Sequence, residues 1–284
     1  MKKSKLLIYL GVILFFYTSC NQDKKANQNL KNDIAFDTLH VNQKHYYKND
    51  TTLSSCSLNL SFIYPSHFEN DTVLKKLQKA IINLYFDDGL YGDLVPADAV
   101  SKYAAAFNAV YEETIESNGK HLEESDGDDP FFTVTEDLKA NILYNENDFL
   151  SFQVVQQNTR MEDIAFTQYK NCVLDVKTGN QLREEDIFIP DYEQDLHKLF
   201  IAHLLKANKA REISDIDNDD VGYNNLQSMT PNRNFYINGD GITYVFNSGE
   251  YSTPQLDAIV ITLPYEEIKP FLKSGSPLSR IFKL

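Results

Sequence analysis

Cys20 is the residue of this 284-residue chain whose neighbours define its chemistry most narrowly. It follows Tyr17-Thr18-Ser19 at the end of a 12-residue apolar run, Leu6 to Tyr17, broken only by Gly11 and preceded by Lys2, Lys3 and Lys5. A positive stretch, a short apolar stretch and small residues before a cleavage point make an export signal. A cysteine in that place is a lipidation site, with Tyr17 standing where leucine is commonest. The run falls short of the roughly 20 apolar residues that span a bilayer. Residues 1–19 are therefore expected to be removed, leaving a mature chain that starts at Cys20 and is held to a membrane of the cell envelope by its lipid.

The other residues able to do chemistry form no familiar catalytic pattern. The chain has no Gly-x-Ser-x-Gly, no phosphate-binding glycine loop and no His-Glu-x-x-His. His197 and His203 are six apart on an expected helix, which sets them on opposing faces rather than on the shared face that a metal pair needs. Asp215-Ile216-Asp217-Asn218-Asp219 begins like a calcium loop. It carries Asp220 where the sixth-position glycine belongs and Leu226 where the twelfth-position acid belongs, so a solvated acidic loop is expected instead. Acid pairs such as Glu184-Glu185 and Asp128-Asp129 suit glycosidase chemistry only at a defined carboxyl separation. The expectation is a non-enzymatic protein without cofactor or metal. A hydrolase acting on glycans or peptidoglycan through surface carboxylates is the alternative.

Composition narrows the partners. Lys and Arg number 27 against 41 Asp and Glu, a formal charge of −14. Removal of the signal deletes three lysines and no acid, giving −17. Nucleic acids and anionic membrane surfaces need a basic footprint, so neither is an expected partner beyond the lipid anchor. A negative field draws cationic partners and also keeps a protein soluble. The aromatic residues are 17 Tyr and 18 Phe with no Trp. That weakens a carbohydrate-binding reading without removing it, because tyrosine also offers a flat face. Cys56 and Cys172 remain beside Cys20, each in an alternating apolar stretch. An oxidising envelope would permit a disulfide between them, and buried thiols would serve equally well.

The elements that position these residues follow from periodicity. Asn21 to about Asn32 is polar enough to be a tether. Ile34 to Val41 and Leu53 to Tyr64 are expected as strands, the second stopped by Pro65. A helix capped by Asn70 or Asp71 presents Val73, Leu74, Leu77, Ile81, Leu84 and Tyr85 and ends at Asp87-Asp88-Gly89. A second helix starts at Pro96 and buries Val100, Ala104, Phe107, Tyr111 and Thr114. After an acidic loop, His121 to Pro130, come strands over Phe131 to Tyr144 and Phe149 to Gln157, joined as a hairpin. Ile164 to Val176 is a further strand, and Lys177-Thr178-Gly179-Asn180 a turn. A helix is expected from about Asp191 to Asn208. Strands at Phe235-Tyr236-Ile237 and Ile242 to Phe246 flank Asn238-Gly239-Asp240-Gly241, a turn whose glycines would take positive φ. Leu256 to Leu263 is the last strand and Pro264 to Leu272 a short helix. Strands and helices are segregated, so the fold class is α+β with mainly antiparallel sheet, packed helices and two closely associated subdomains.

Gly241-Ile242-Thr243-Tyr244-Val245-Phe246-Asn247, then Gly249-Glu250-Tyr251 and Pro254, then Ile259 to Ile268 with its Pro264-Tyr265 pair, resemble the RsiV-like domain of lysozyme-sensing anti-sigma factors. Asp175-x-x-Thr178-Gly179 and Glu185-Asp186-Ile187-Phe188 are similar to the same family. The N-terminal strand and helices look like the PdaC-like domain found ahead of a peptidoglycan deacetylase. The resemblance covers residues 50 to 275 and implies a PdaC-like unit over 33–160 and an RsiV-like unit over 161–284, after the signal (1–19) and a lipidated tether (20–32). Two departures touch function. Ile164 to Tyr169 replaces the family's Gly-Gly-Ala-His, and Gln255 stands where an aromatic is usual. The resemblance implies a ligand outside the cytoplasm, either a lysozyme-like cationic protein or a peptidoglycan fragment. Deacetylase activity is not expected, because the metal-binding domain would have to follow. Asn247 to Pro254 connects two apolar strands and must emerge at a sheet edge. It supplies the expected ligand-binding residues: Asn247, Glu250, Tyr251, Pro254 and Asp257, with Tyr251 as aromatic anchor.

Overall fold

The computed structural model describes residues 31–117, 132–160, 166–218 and 220–281. The signal, Cys20, most of the tether, the acidic loop 121–130, residues 164–165 and Asp219 lie outside the described residues.

Two sheets form the frame. β1 (Ala35–Tyr46), β2 (Ser55–His67), β3 (Val134–Glu146), β4 (Phe149–Arg160) and β5 (Phe166–Asp175) make a five-stranded sheet in sequence order. All pairs are antiparallel except β2 with β3. A parallel pair needs a long crossover, supplied here by α1 (Asp71–Phe86) and α2 (Pro96–Ser117). Alternation in β2 sends Leu58, Leu60 and Phe62 to the helix side, where they meet Val73, Leu77, Ile81 and Tyr85 of α1 in one core. Asn70 caps α1, its Oδ1 accepting from the backbone N–H groups of Thr72 and Val73 at 3.1 Å each. Asp87, in the left-handed region at φ 54°, ends it. The buried face of α2 closes with Ile115; Thr114 points to solvent and donates its hydroxyl to Val110 O.

β2 runs through Pro65 instead of stopping there. The ladder to β3 ends at the Ser61–Lys139 pair, so Pro65 lies where β2 has a partner on one side only, the place where a strand tolerates proline. Near that end the Tyr85 hydroxyl bridges the parallel strands, donating to Leu138 O (2.7 Å) and accepting from Ser61 N (3.1 Å).

The β3–β4 hairpin turns on Asn147 and Asp148, both at positive φ (54° and 64°), the conformation that two-residue hairpins favour. β5 is hydrogen-bonded into this first sheet, so the strand expected to open the second unit completes the sheet of the first. After α3 (Glu184–Ile187) and α4 (Tyr192–Asn208) come β6 (Phe235–Ile237), β7 (Gly241–Phe246) and β8 (Ile259–Pro264), an antiparallel three-stranded sheet. The last strand starts three residues later than the apolar pattern suggests. The terminal helix, α5 (Tyr265–Ile268), tightens into a 3-10 turn at Lys269–Phe271.

The β6–β7 turn does not use positive-φ glycines. Neither Gly239 nor Gly241 has positive φ. Asn238 Oδ1 instead accepts from the N–H groups of Asp240 (2.8 Å) and Gly241 (3.1 Å), a local side-chain turn. Gly241 is required by close approach: a Cβ there would sit 2.1 Å from Leu263 O.

Phe200 of α4 packs its ring against Tyr244 and Phe246 on one face of the small sheet. The small sheet also meets the first, because Phe149 and Val173 share a core with Phe235 and Ile237. Ser151 seals that contact, donating to Ile237 O (2.7 Å) and accepting from Ile237 N (3.1 Å). The architecture is α+β with mainly antiparallel sheet and packed helices. Cys56 and Cys172 are free and buried. They lie in β2 and β5, with β3 and β4 between. Three strand spacings make about 14 Å, beyond the reach of a disulfide.

Candidate functional site

The loop after β7 is built around its own side chains. Asn247 accepts from Tyr169 N through Oδ1 (2.7 Å) and donates to Tyr169 O through Nδ2 (3.1 Å), clamping the free edge of β5. Glu250 spends both carboxylate oxygens: Oε1 accepts from Asn247 N (2.8 Å) and Oε2 from Asn232 Nδ2 (3.0 Å). Tyr251 sets its ring edge-on to Phe246, with centroids 5.5 Å apart. Its hydroxyl accepts from Thr230 N (3.3 Å) and faces Ser228 O (3.5 Å). Pro254 is exposed, its carbonyl accepting from Ser248 Oγ (3.0 Å). Asp257 is exposed and carries no ion pair among the described residues. The structure thus brings Asn247, Glu250 and Tyr251 together as supports of the loop, while Pro254 and Asp257 face solvent.

The segment that Tyr251 holds forms one wall of a cleft. Gln227, Ser228, Met229 and Thr230 face Glu193, Gln194, His197 and Lys198 of α4 across a volume of about 340 Å³. His197 ties the walls together through Nδ1 to Met229 O at 2.8 Å, and His203 pairs with Glu267 at 2.8 Å. The two histidines are therefore engaged separately on the two sides of α4. Among the described residues no group of three or more His, Cys, Asp or Glu is placed to hold a metal. In the stretch that begins like a calcium loop, Asp215 accepts from Arg211 N and Glu212 N, and Asp217 from Leu226 N. These carboxylates cap backbone.

Asn234, which the sequence pattern left inside an irregular stretch, joins the two sheets, and Asn232 braces it by accepting from its N–H (3.1 Å). Asn234 Oδ1 accepts from both N and Nδ2 of Asn171 (2.8 Å each), and its Nδ2 donates to Tyr169 O and Val245 O (2.9 Å each). Every donor and acceptor of the amide is used. An edge strand left bare recruits foreign strands; here the amides of Asn234 and Asn247 occupy the β5 edge. Asparagines directly before a β-branched and aromatic run were the available signal, but only the pairing across some 60 residues gives them meaning.

The Glu184-Glu185 pair divides into unlike halves. Glu184 is 2% exposed. It accepts from Tyr192 Oη (3.1 Å) and Arg233 N (3.1 Å). Burial pushes its carboxyl above the usual range, and these hydrogen bonds oppose the shift. The buried Tyr244 hydroxyl faces the same carboxylate without a hydrogen bond of good geometry. Glu185 is held low, first by its own backbone N–H, and pairs with Arg233 in solvent. The first sheet holds a counterpart, Glu136, which burial likewise raises and which Tyr103 and Gln156 hold by hydrogen bonds. Each buried glutamate is thus anchored to its own tyrosine in a different unit. Both cysteine thiols are raised by burial, Cys56 to about 11 and Cys172 to about 12, which makes them unreactive.

Comparison with known proteins adds family and fold. Residues 185–266 match the family described as protein of unknown function (DUF3298), a segment that contains all five expected ligand-binding residues. No curated protein matches. A crystal structure of a DUF3298 family member from Bacteroides fragilis NCTC 9343 superposes with a TM-score of 0.81 at 20% identity, covering 90% of this chain and all of that one. A DUF3298 family protein from Pseudomonas aeruginosa PAO1 gives 0.57 at 12% identity, covering 85% and 96%. The second sheet and its loop therefore carry a DUF3298 domain, and the two-sheet arrangement as a whole is the fold of solved DUF3298 family proteins.

Proposed function

We propose that this protein is a non-enzymatic lipoprotein of the cell envelope, tethered through Cys20, that captures a cationic protein of lysozyme type outside the cytoplasm. The reading joins a PdaC-like N-terminal unit to an RsiV-like C-terminal one. The observation that carries it is the exposed, unpaired carboxylates around the DUF3298 loop. Glu193 on the cleft rim and Asp220 and Asp257 beside the loop are exposed and in no ion pair among the described residues. Unpaired carboxylates on a chain of negative charge steer basic partners and speed their docking. The cleft admits a projecting basic side chain at Glu193, while Asn247, Glu250 and Tyr251 keep its far wall in place.

The test is capture of lysozyme and of soluble peptidoglycan fragments by the full chain at low and high salt. Capture of lysozyme that weakens with salt, and weakens further in Glu193→Gln and Asp257→Asn, is the expected result. Equal capture by these variants and the native chain would remove the proposed surface. The anchor is tested separately by lipid labelling in cells, which Cys20→Ala should abolish.

A further inference from the structure

Among the described residues, helices cover one face of the five-stranded sheet and the second unit covers only one end of the other. On the part left open, a row crosses all five strands in register: Asn42, Asn59, Asp137, Gln157 and Thr167. Its side chains are bonded in two groups, Asn42-Asn59-Asp137 and Gln157-Thr167. Asn42 Nδ2 donates to Asn59 Oδ1 (2.8 Å), Asn59 Nδ2 to Asp137 Oδ1 (2.7 Å) and Gln157 Nε2 to Thr167 Oγ1 (3.1 Å). A second chain of amides, Asn141 to Gln153 to Asn171, ends on Asn234 where the second unit rises from the sheet. Tyr169 shares this face at the foot of the step, its backbone clamped by Asn234 and Asn247.

We infer that this open face is a binding surface for a neutral, polyhydroxylated glycan strand. The solvated face of an antiparallel sheet is commonly polar, and this one also carries His40, Lys44 and Lys139 to either side, but the row itself is nearly uncharged. In a chain of net charge −14 the row holds four uncharged side chains and one carboxylate, and that carboxylate already accepts from Asn59. Such a row gives a cationic protein little to pair with and an apolar partner nothing to bury against. It offers amide donors and acceptors side by side, the complement of sugar hydroxyls and acetamido groups. Asn42 Oδ1 and Gln157 Oε1 take no hydrogen bond among the described residues and both side chains are exposed. The side-chain ladder fixes rotamers before any ligand arrives, which lowers the ordering cost of binding. Four strand spacings give the row a length of about 19 Å, enough for several sugar rings, and Tyr169 provides a ring face at its end. This surface lies on the first sheet, apart from the acidic cleft, and does not depend on the capture of a cationic protein.

The probes are soluble N-acetylglucosamine oligomers, cello-oligosaccharides and insoluble peptidoglycan, offered to the full chain in a sugar-free detergent at low and high salt. Retention that does not change with salt is expected. Asn42→Ala and Gln157→Ala, exposed enough to leave melting unchanged, should each weaken it by about fivefold, the worth of one hydrogen bond. Glu193→Gln should leave it as it is. Preference for the acetamido sugars and peptidoglycan would name the cell wall as the source, and equal binding of cello-oligosaccharides a broader neutral glycan; either supports the surface. Failure of the folded chain to retain any glycan, or retention that falls with salt and ignores both alanine variants, would overturn it.

Discussion

Asn234→Asp keeps the shape of the side chain that joins the two sheets and inverts half of its hydrogen bonding. The native Nδ2 donates to Tyr169 O and Val245 O at 2.9 Å each; an aspartate would set a carboxylate oxygen against both carbonyls. Neither carbonyl is orphaned, since Asn247 Nδ2 still serves Tyr169 and Asn232 Nδ2 still serves Val245. The loss is therefore two hydrogen bonds of about 1 kcal/mol each, plus the desolvation and repulsion of a half-buried charge, or about 2–4 kcal/mol together. At roughly 2–4 °C per kcal/mol for a unit of this size, the melting midpoint should fall by roughly 4–16 °C. Asn234→Ala loses all four bonds and should fall comparably, but without a titrating group. The introduced carboxyl has a folded pKa raised above its unfolded value. Its contribution is thus most favourable below the unfolded pKa and is lost as pH rises through the folded one. The gap between the aspartate and alanine variants should shift against aspartate between about pH 4 and pH 7. Thermal melts of both variants across that range are the assay. A drop of less than about 1 °C for Asn234→Asp at neutral pH would refute the reasoning that this amide ties the sheets.

Three further outcomes are expected. Tyr85→Phe removes the hydroxyl that serves Ser61 N and Leu138 O; leaving a buried donor and acceptor without it should cost about 2–4 kcal/mol in urea unfolding, and an unchanged midpoint would show that the strands simply close on each other. Glu184, raised by burial, favours the folded state most below its unfolded pKa and loses that contribution as pH rises through its folded value. Glu184→Gln should therefore remove part of the fall in melting temperature from the usual 4.5 upward, and identical pH profiles for variant and native chain would count against that assignment. Cys56 and Cys172, separated by two strands and raised to about 11 and 12, should resist maleimide in the folded chain and react in denaturant. A disulfide between them, seen as a reducible mobility shift on a gel, would contradict the strand order.

What the sequence determined by itself was whatever rests on short-range pattern. The alternation of β2, the three- and four-residue spacing of α1, the Asn70 cap and the Asn147-Asp148 hairpin need only neighbours to be read. The errors mark where a residue's meaning depends on a distant partner. Pro65 fits inside β2 because the β3 ladder has already ended at Ser61. Gly241 is a glycine because Leu263 O lies against it, not for its φ. Cys56 and Cys172 look alike in sequence, and only strand order separates them. The same holds for the candidate site. The sequence located the loop from Asn247 to Asp257; only tertiary structure shows Asn247, Glu250 and Tyr251 engaged as its supports and raises Asn234 from an irregular stretch to the junction of two sheets. Side-chain hydrogen bonds across 60 or more residues leave no periodicity behind them, so the cleft beside α4 and the amide row across five strands became legible only once the sheets were assembled.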